Sequence, residues 1–242
     1  SSLLSLISPL SSIYSKLTPH NTQKSTIVRQ LTIKKKQKRA DEAGADLVVF
    51  PELALCGYPP RDLLFKPAFL KDNEEALERL AKPGGKAVAV VGFASENETS
   101  SGRPALNSAA VIQNGEVIAV RHKSLLPTYD VFDEDRYFEP AEAVEPVEVL
   151  DKKIGITICE DIWNNDVFIH DRRYYRLPAD ELATAGAELF LNLSASPWSL
   201  GKEHSRHILL SQLSAKHGLP IVYCNLVGGN DELVFDGCSQ YY

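Results

Sequence analysis

The chain has 242 residues, of which 44% are hydrophobic and 24% are charged, and its net charge is −6. This composition is typical of a globular enzyme, and no apolar run is long enough to span a bilayer, so we expect no membrane partner. Its four cysteines (Cys56, Cys159, Cys224 and Cys238) form no CxxC pair. That spacing argues against a zinc site or a disulfide framework, and it favours a reducing, cytoplasmic location.

The charges are unevenly distributed along the chain. All 32 acidic residues lie after position 40, so residues 1–40 carry +8 and the remainder carries −14. An acidic body does not suit non-specific binding of nucleic acid, and we expect no nucleic-acid partner. The basic run at 33–39 is interpreted as a solvated charge run.

Residues 1–40 differ from the rest in composition. They are rich in serine, contain no acidic residue and show no strand or helix period. Their composition is shared by organelle-targeting segments. A frame-shifted start is the other interpretation, and a secretory signal fits less well because no positive region precedes the apolar stretch.

Regular patterns begin at residue 41. ADEAGADLVVFPE predicts the end of a helix, a turn at Gly44 and a buried strand. Residues 68–82 have helical periodicity and stop at Pro83. KAVAVVGFAS predicts a buried strand, and the segment after it predicts two strands joined at Asn114-Gly115, a strong hairpin signal.

The second half of the chain continues this alternation. VEVLDKKIGITICE predicts two strands and a turn, and DELATAGAELFLNLSAS predicts a helix, a turn at Gly186 and a strand. HSRHILLSQLSAKHGLPIVYCNLVGG predicts the same order again, with its turn at Gly218. Strands that alternate with both helices and hairpins indicate an α/β fold in which helices pack outside a mixed sheet.

Three reactive side chains each follow an apolar strand. Glu52 follows Val48–Phe50, Lys123 follows Val117–Val120, and Cys159 follows Ile154–Ile158. A thiol, a carboxylate and an ammonium at strand ends suggest a nucleophile with a base and an oxyanion partner. Taken singly, each has an ordinary alternative: a core cysteine, a helix cap or surface acid, and a solvated lysine.

Several motifs in order resemble the nitrilase (carbon–nitrogen hydrolase) superfamily. FPEL, RHKSLLP and a Cys-Glu-Asp at a strand end match its Glu-Lys-Cys signature. Residues 41–242 are similar, more narrowly, to the N-terminal glutaminase domain of glutamine-dependent NAD⁺ synthetases. The segments that carry this likeness are CGYPPRDLL (56–64), LPTYDVFDEDRYFEP (126–140), ICEDIW (158–163), NLSASPWSLGK (192–202) and VGGNDELVFDG (227–237).

The resemblance implies a role for each matching residue. Glu52 would be the general base, Lys123 the transition-state stabiliser and Cys159 the nucleophile. The substrate-binding positions it implies are Tyr129, Ser196 and Lys202. Glu134 and Glu160 would bind the substrate ammonium or position Lys123, or else be structural, and Tyr58 and Trp163 would line the pocket or belong to the core.

The resemblance also implies a fold and partners. The fold is a four-layer α-β-β-α sandwich, expected here to be incomplete at both ends. Residues 1–40 would be an atypical segment without the first core strand, and residues 41–242 a truncated glutaminase domain. The substrate would be L-glutamine, with no cofactor or metal for that step. ATP and Mg²⁺ would serve a synthetase domain that this sequence lacks. The resemblance also implies a homo-oligomer.

The sequence leaves two other functions open. One is a stand-alone amidase of the same superfamily, although 126–140 and 192–202 favour the synthetase branch. The other is a non-functional or partner-dependent fragment, which the unusual 1–40 segment favours and the complete Glu-Lys-Cys set opposes.

Overall fold

The computed structural model describes residues 22–99, 101–164 and 173–242, with side chains from residue 26 onward. The α-helices in this part of the chain are Thr22–Glu42 (α1), Pro67–Ala81 (α2), Pro178–Thr184 (α3) and Lys202–His217 (α4). Its 3₁₀ helices are Arg61–Phe65, Glu134–Arg136 and Cys159–Ile162. None of the described helices is both long and apolar enough to cross a membrane.

The strands form two main sheets and one small ribbon. The first sheet, in spatial order, contains Leu47–Val49 (β1), Val88–Glu96 (β2), Ala105–Gln113 (β3) and Glu116–His122 (β4). The second sheet, in spatial order, contains Gln240–Tyr241 (β11), Ile221–Asn225 (β8), Leu189–Ser194 (β7), Lys152–Ile158 (β6) and Val147–Val149 (β5). The ribbon pairs Val227–Asn230 (β9) with Leu233–Asp236 (β10).

Both sheets are mixed, as the alternation of helices and hairpins predicts. In the first sheet β1 runs parallel to β2, and β2, β3 and β4 are antiparallel neighbours. In the second sheet β6, β7 and β8 are parallel, while β5 and β11 are antiparallel edge strands. Reactive residues that follow β1 and β6 therefore lie at the carboxyl ends of parallel strands.

The two sheets pack face to face, and helices cover their outer faces. Val90 and Val111 of the first sheet belong to one buried cluster with Ile156 and Leu191 of the second. Helices α1 and α2 pack on the outer face of the first sheet, and α3 and α4 on that of the second. The predicted four-layer α-β-β-α sandwich is confirmed.

Several turns have the backbone that the sequence predicts. Asn114 and Gly115 both have positive φ, 52° and 89°, as a two-residue hairpin turn requires. Helix α4 is capped at its carboxyl end by Gly218, which lies in the left-handed region with φ of 65°. The hairpin between β5 and β6 turns at Leu150 and Asp151, both with φ of 55°, where no glycine signals it.

The sequence shows no helix period before residue 41, but the structure contains a helix there, α1. This helix runs through Thr22–Glu42, and its buried stripe is Thr26, Gln30, Ile33, Gln37 and Ala40. Three of these five side chains are polar, which hides the stripe from a hydrophobic pattern. Gln30 is accommodated because its Nε2 donates a 3.0 Å hydrogen bond to the Ala76 carbonyl. Residues 1–21 lie outside the described residues, so the origin of that segment stays a prediction.

Candidate active site

The three predicted reactive residues meet between the two sheets. Glu52 lies just beyond β1, Lys123 just beyond β4 and Cys159 just beyond β6. Lys123 Nζ donates a 2.7 Å hydrogen bond to Glu52 Oε1, and the charges of both side chains act on the pKa of the Cys159 thiol. Residues separated by more than 100 positions in the sequence therefore share one buried environment.

Hydrogen bonds hold the Glu52 carboxylate on both oxygens. Oε1 accepts from Asn107 Nδ2 at 2.7 Å as well as from Lys123, and Oε2 accepts from the Ala195 backbone N–H at 2.9 Å. Gly92 on β2 allows this arrangement, since a Cβ there would lie 2.3 Å from the Pro51 carbonyl oxygen. The carboxylate is thus fixed by β3 of the first sheet, by the residue that follows β7 of the second sheet, and by the ammonium.

The Lys123 ammonium lies between two carboxylates. Its Nζ also donates to Glu134 Oε2 at 2.7 Å, and the side chains of Lys123, Glu52 and Glu134 are exposed by 0%, 0% and 5%. Burial alone would lower the pKa of Lys123, but the facing carboxylates of Glu134 and Glu52 raise that pKa well above its ordinary value. Lys123 therefore remains charged in the interior.

Glu134 completes the ionic chain and receives a second donor. The Tyr58 hydroxyl donates a 2.8 Å hydrogen bond to Glu134 Oε1. Burial, with the nearby Glu52 charge, raises the pKa of Glu134 to about 7 against the opposing effect of Lys123. Burial and the Glu134 charge also raise the pKa of the Tyr58 hydroxyl, which stays protonated as a donor.

Cys159 occupies a tight turn between β6 and the 3₁₀ helix Cys159–Ile162. Its φ is 45°, a left-handed value that is unusual for a residue with a side chain, and it is 4% exposed. Burial, followed by the Glu52 charge, raises the pKa of its thiol well above the ordinary value, although Lys123 acts in the opposite direction. The resting sulfur is a thiol and needs a base before it can attack.

A second acidic residue follows the thiol directly. Glu160 accepts hydrogen bonds from the Tyr129 hydroxyl at 2.9 Å and from the Tyr174 hydroxyl at 3.1 Å. The Arg173 guanidinium carbon lies 3.8 Å from the Tyr129 ring centroid. Burial raises the pKa of Glu160, while the tyrosine donors act to lower it. The structure thus brings the predicted Tyr129 and Glu160 into direct contact.

In the part of the chain that the structure describes, Ser196 and Lys202 make no hydrogen bond to the ionic chain of Glu52, Lys123 and Glu134. Ser196 is buried, and its backbone N–H donates to Asn225 Oδ1 at 2.9 Å. Lys202 begins α4, and its Nζ lies 5.2 Å from the Trp163 ring centroid. Among the described residues Lys202 has no hydrogen bond to the other predicted site residues, and its link to the site runs through Trp163.

A family comparison agrees with this geometry. The model of the carbon-nitrogen hydrolase family matches residues 20–240. This chain belongs to the carbon-nitrogen hydrolase family. The match begins inside the segment that composition sets apart, close to the start of α1.

Two relatives of this carbon-nitrogen hydrolase carry the same name. It is 45% identical over 205 residues to a glutamine-dependent NAD(+) synthetase of Synechocystis sp., and 41% identical over 207 residues to that of Thermotoga maritima. These alignments cover 83% of this chain but only 37% and 33% of the relatives, so the chain spans about a third of their length.

Solved structures show the same fold. A glutamine-dependent NAD+ synthetase from Acinetobacter baumannii, solved with ADP, superposes with a TM-score of 0.80 at 35% identity, over 94% of this chain and 40% of that one. An amidase from Nesterenkonia sp. superposes with a TM-score of 0.74 at 22% identity, over 90% and 79% of the two chains. At that identity the amidase shares the fold alone.

Sequence reasoning missed several groups around the reactive side chains of this carbon-nitrogen hydrolase. Asn107 lies inside β3 in an ordinary strand pattern, and the Ala195 contact uses a backbone N–H, so neither leaves a signal in the sequence. Tyr174 likewise has no distinguishing pattern. Asp161 belongs to the ICEDIW motif, and its buried carboxylate accepts three backbone hydrogen bonds.

The assembled groups suit nucleophilic acyl chemistry. They provide a thiol, a carboxylate that can take its proton and a permanent cation that can face an oxyanion. Among the described residues, no group of three or more His, Cys, Asp or Glu side chains could hold a metal ion.

Proposed function

We propose that this carbon-nitrogen hydrolase hydrolyses the side-chain amide of L-glutamine to glutamate and ammonia, as the glutaminase part of a glutamine-dependent NAD⁺ synthetase. The observation that carries the proposal is the buried Lys123 ammonium, held at 2.7 Å from both Glu52 and Glu134 beside the Cys159 thiol. The names of the relatives support glutamine as the substrate.

The first half of the reaction forms a thioester. Glu52 takes the proton of the Cys159 thiol while the sulfur attacks the amide carbon of glutamine. Lys123, together with a backbone N–H near Cys159, faces the oxyanion that develops on the amide oxygen. The carbon–nitrogen bond then breaks, and Glu52 passes its proton to the departing ammonia.

The second half releases glutamate. Water attacks the thioester carbon and gives a proton to Glu52, and Lys123 again faces the oxyanion. The carbon–sulfur bond breaks, and the sulfur regains its proton from Glu52. A base that takes and returns a proton twice suits a carboxylate held in a dry site.

We assign the remaining predicted residues to glutamine recognition. Glu160, with the Tyr129 hydroxyl on its carboxylate, would accept the α-ammonium, and Lys202 would face the α-carboxylate as a point charge. Ser196 would donate to the polar α-carbon end. Tyr58 and Glu134 would not contact the α-carbon end of glutamine but would fix the position of Lys123.

The ammonia would serve a synthetase domain. We propose that this domain uses ATP and Mg²⁺ to amidate nicotinic acid adenine dinucleotide to NAD⁺, in a cytoplasmic homo-oligomer. The lengths of the relatives, about three times that of the matched segment, support such a partner domain.

The test is release of ammonia and glutamate from L-glutamine by the purified chain. We expect the two products in equal amounts, and no release from Cys159→Ala. The matched control is Cys238→Ala. That half-buried thiol has Asp236, Glu203 and Arg206 as the charged groups that act on it, not Glu52 or Lys123, so this variant should retain activity.

Other outcomes would replace the proposal. Hydrolysis of a simple aliphatic amide with glutamine left intact would indicate an amidase of the same family. A chain that unfolds cooperatively but acts on neither substrate would be a fragment that depends on its partner domain. Equal ammonia release from wild type and Cys159→Ala would refute the assigned nucleophile.

A further inference from the structure

Asp161 joins two segments that the sheets leave unconnected. Its Oδ1 accepts hydrogen bonds from the backbone N–H groups of Ser124 and Leu125, and its Oδ2 accepts one from that of Ile158, all at 2.9 Å. Ser124 follows Lys123 directly, and Ile158 precedes Cys159. One carboxylate, 4% exposed, therefore binds the backbone beside both reactive residues.

No ladder of hydrogen bonds fixes these two segments against each other. Lys123 follows β4 at the edge of the first sheet, while Cys159 follows β6 in the second. Face-to-face sheets are held by side-chain packing, which permits small sliding movements. The three hydrogen bonds of Asp161 supply a polar link at the point where the chemistry requires a fixed distance.

The turn at Cys159 also needs local support. Its φ of 45° is unfavourable for a residue with a Cβ, and such a conformation persists only when surrounding contacts hold it. Asp161 lies three residues after Ile158 and bonds back to the Ile158 N–H, which closes the turn around Cys159. Its other oxygen carries that restraint across to the Lys123 segment.

We propose that Asp161 is a positioning residue that holds the Cys159 thiol and the Lys123 ammonium at their reacting separation. The inference rests on the proposed function for its kinetic consequence. A carboxylate suits the task because both of its oxygens accept, as donors on two sides require. An asparagine could accept from one segment only, since its NH₂ group would face the N–H of the other.

The test replaces one carboxylate oxygen of Asp161 with an NH₂ group. We expect Asp161→Asn to lower kcat for glutamine by about 100-fold, the size of effect that a displacement of about 1 Å can have on a reacting pair, with KM little changed. Asp41→Asn is the matched control. The Asp41 carboxylate accepts a 2.7 Å hydrogen bond from the Ala87 N–H, remote from the site, and its variant should keep kcat.

A second readout does not depend on glutamine. Iodoacetamide alkylation of Cys159, followed by the mass of its peptide, reports how easily the thiol ionises. Glu52, Lys123, Glu134 and Glu160 act on this thiol, and all four remain in the variant. If the thiol moves away from Lys123, the midpoint of the alkylation profile should shift to higher pH. Loss of the Asp161 charge would by itself shift the midpoint to lower pH, so it cannot imitate the expected shift.

The two readouts separate the possible failures. No glutamine hydrolysis by wild type, with a shifted alkylation midpoint in Asp161→Asn, would reject the proposed function and keep the positioning role. An unchanged midpoint together with unchanged kcat would overturn the positioning role. A loss of thermal stability alone, equal to that of Asp41→Asn and without a change in kcat, would also overturn it.

The wild-type chain provides a test if Asp161→Asn does not fold. Amide hydrogen exchange should give one opening free energy for Ser124, Leu125 and Ile158, because the same carboxylate holds all three. Exchange of Ser124 and Leu125 through a separate, easier opening, while Ile158 stays protected, would show that Asp161 does not join the segments.

Discussion

Lys123 Nζ lies 2.7 Å from Glu52 Oε1, and neither side chain is exposed to solvent. A buried ion pair is costly unless its remaining hydrogen-bonding capacity is satisfied. Here Asn107 and the Ala195 N–H complete the shell of Glu52, and Glu134 provides a second anion for Lys123. Such a network is preorganised for charge that develops during a reaction, and its stability should depend on every member.

Removal of the ammonium should destabilise the fold. Lys123→Met keeps an apolar stem but leaves Glu52 and Glu134 without their cation, and we expect the free energy of unfolding to fall by about 3–5 kcal/mol at pH 7.5. Lys123 acts to lower the pKa of Glu134, which is about 7 in the wild type, so that pKa should be higher in the variant. As the pH falls from 7.5 to 6 the Glu134 carboxylate should take up a proton, and the loss should shrink. Urea unfolding at both pH values measures the two numbers.

The control for this change is Lys152→Met. Lys152 donates a 2.7 Å hydrogen bond to Glu188, but both side chains are about half exposed. Its loss should change the unfolding free energy much less than that of Lys123. Equal effects of the two substitutions would contradict the prediction that the buried network stabilises the fold more than an exposed ion pair does.

Glu134 should make stability depend on pH. Its pKa is raised from 4.5 to about 7, chiefly by burial, so between these values the folded state binds a proton that the unfolded state has lost. This contribution to the unfolding free energy therefore falls as pH rises from 4.5 to 7. Glu134→Gln removes that titration while its amide oxygen can still accept from Lys123.

The difference between variant and wild type isolates this effect. The unfolding free energy of Glu134→Gln, minus that of wild type, should increase as the pH rises from 5 to 7, by about 1.4 kcal/mol for each pH unit over which only the folded state keeps the proton. Asp161, whose pKa burial raises to about 6, contributes equally to both proteins and cancels. A difference that stays constant over this range would mean that Glu134 is ionised throughout.

Close backbone packing at Gly92 should be needed for both stability and activity. A Cβ at this position would lie 2.3 Å from the Pro51 carbonyl oxygen and 2.5 Å from the Leu53 nitrogen. We expect Gly92→Ala to cost about 1–3 kcal/mol of stability and to lower kcat by about 10- to 100-fold, because Glu52 must shift. Thermal unfolding and glutamine hydrolysis measure the two effects.

Gly229→Ala provides the comparison for that prediction. Gly229 lies in β9, and a Cβ there would meet only the Leu233 carbonyl oxygen, at an ordinary contact distance of 3.4 Å. Its effect on kcat should be small. A Gly92→Ala variant as active as Gly229→Ala would show that the Glu52 segment has room to adjust.

The strands and the three reactive residues could be predicted because each of them leaves a local pattern in the sequence. A buried strand appears as an apolar run. Where such a run ends, the strand reaches the edge of its sheet, and reactive side chains such as Glu52 and Cys159 follow there. Which side chains meet across the two sheets could not be predicted. The contacts of Asn107 and Asp161 depend on the packing of distant strands, and a single sequence does not record that packing.

Helix α1 illustrates the other limit. Its buried stripe is largely polar, so its helical period is visible only once α2 and the first sheet are in place. Tertiary packing, rather than amphipathic pattern, accounts for its position. The composition of residues 1–40 therefore did not reveal that the second half of this segment packs on the core.

A pair of neighbouring substitutions in α1 tests whether that helix belongs to the folded unit. Ile33 is 3% exposed and packs in the cluster formed with α2 and the first sheet, whereas Leu31 is 61% exposed. Ile33→Ala should lower the unfolding free energy by about 2–5 kcal/mol, because it leaves a cavity in that cluster. Leu31→Ala should change it by about 0.5 kcal/mol or less. Urea unfolding of both variants measures the two changes. Similar small effects of the two substitutions would mean that α1 is not docked on the sheet in solution.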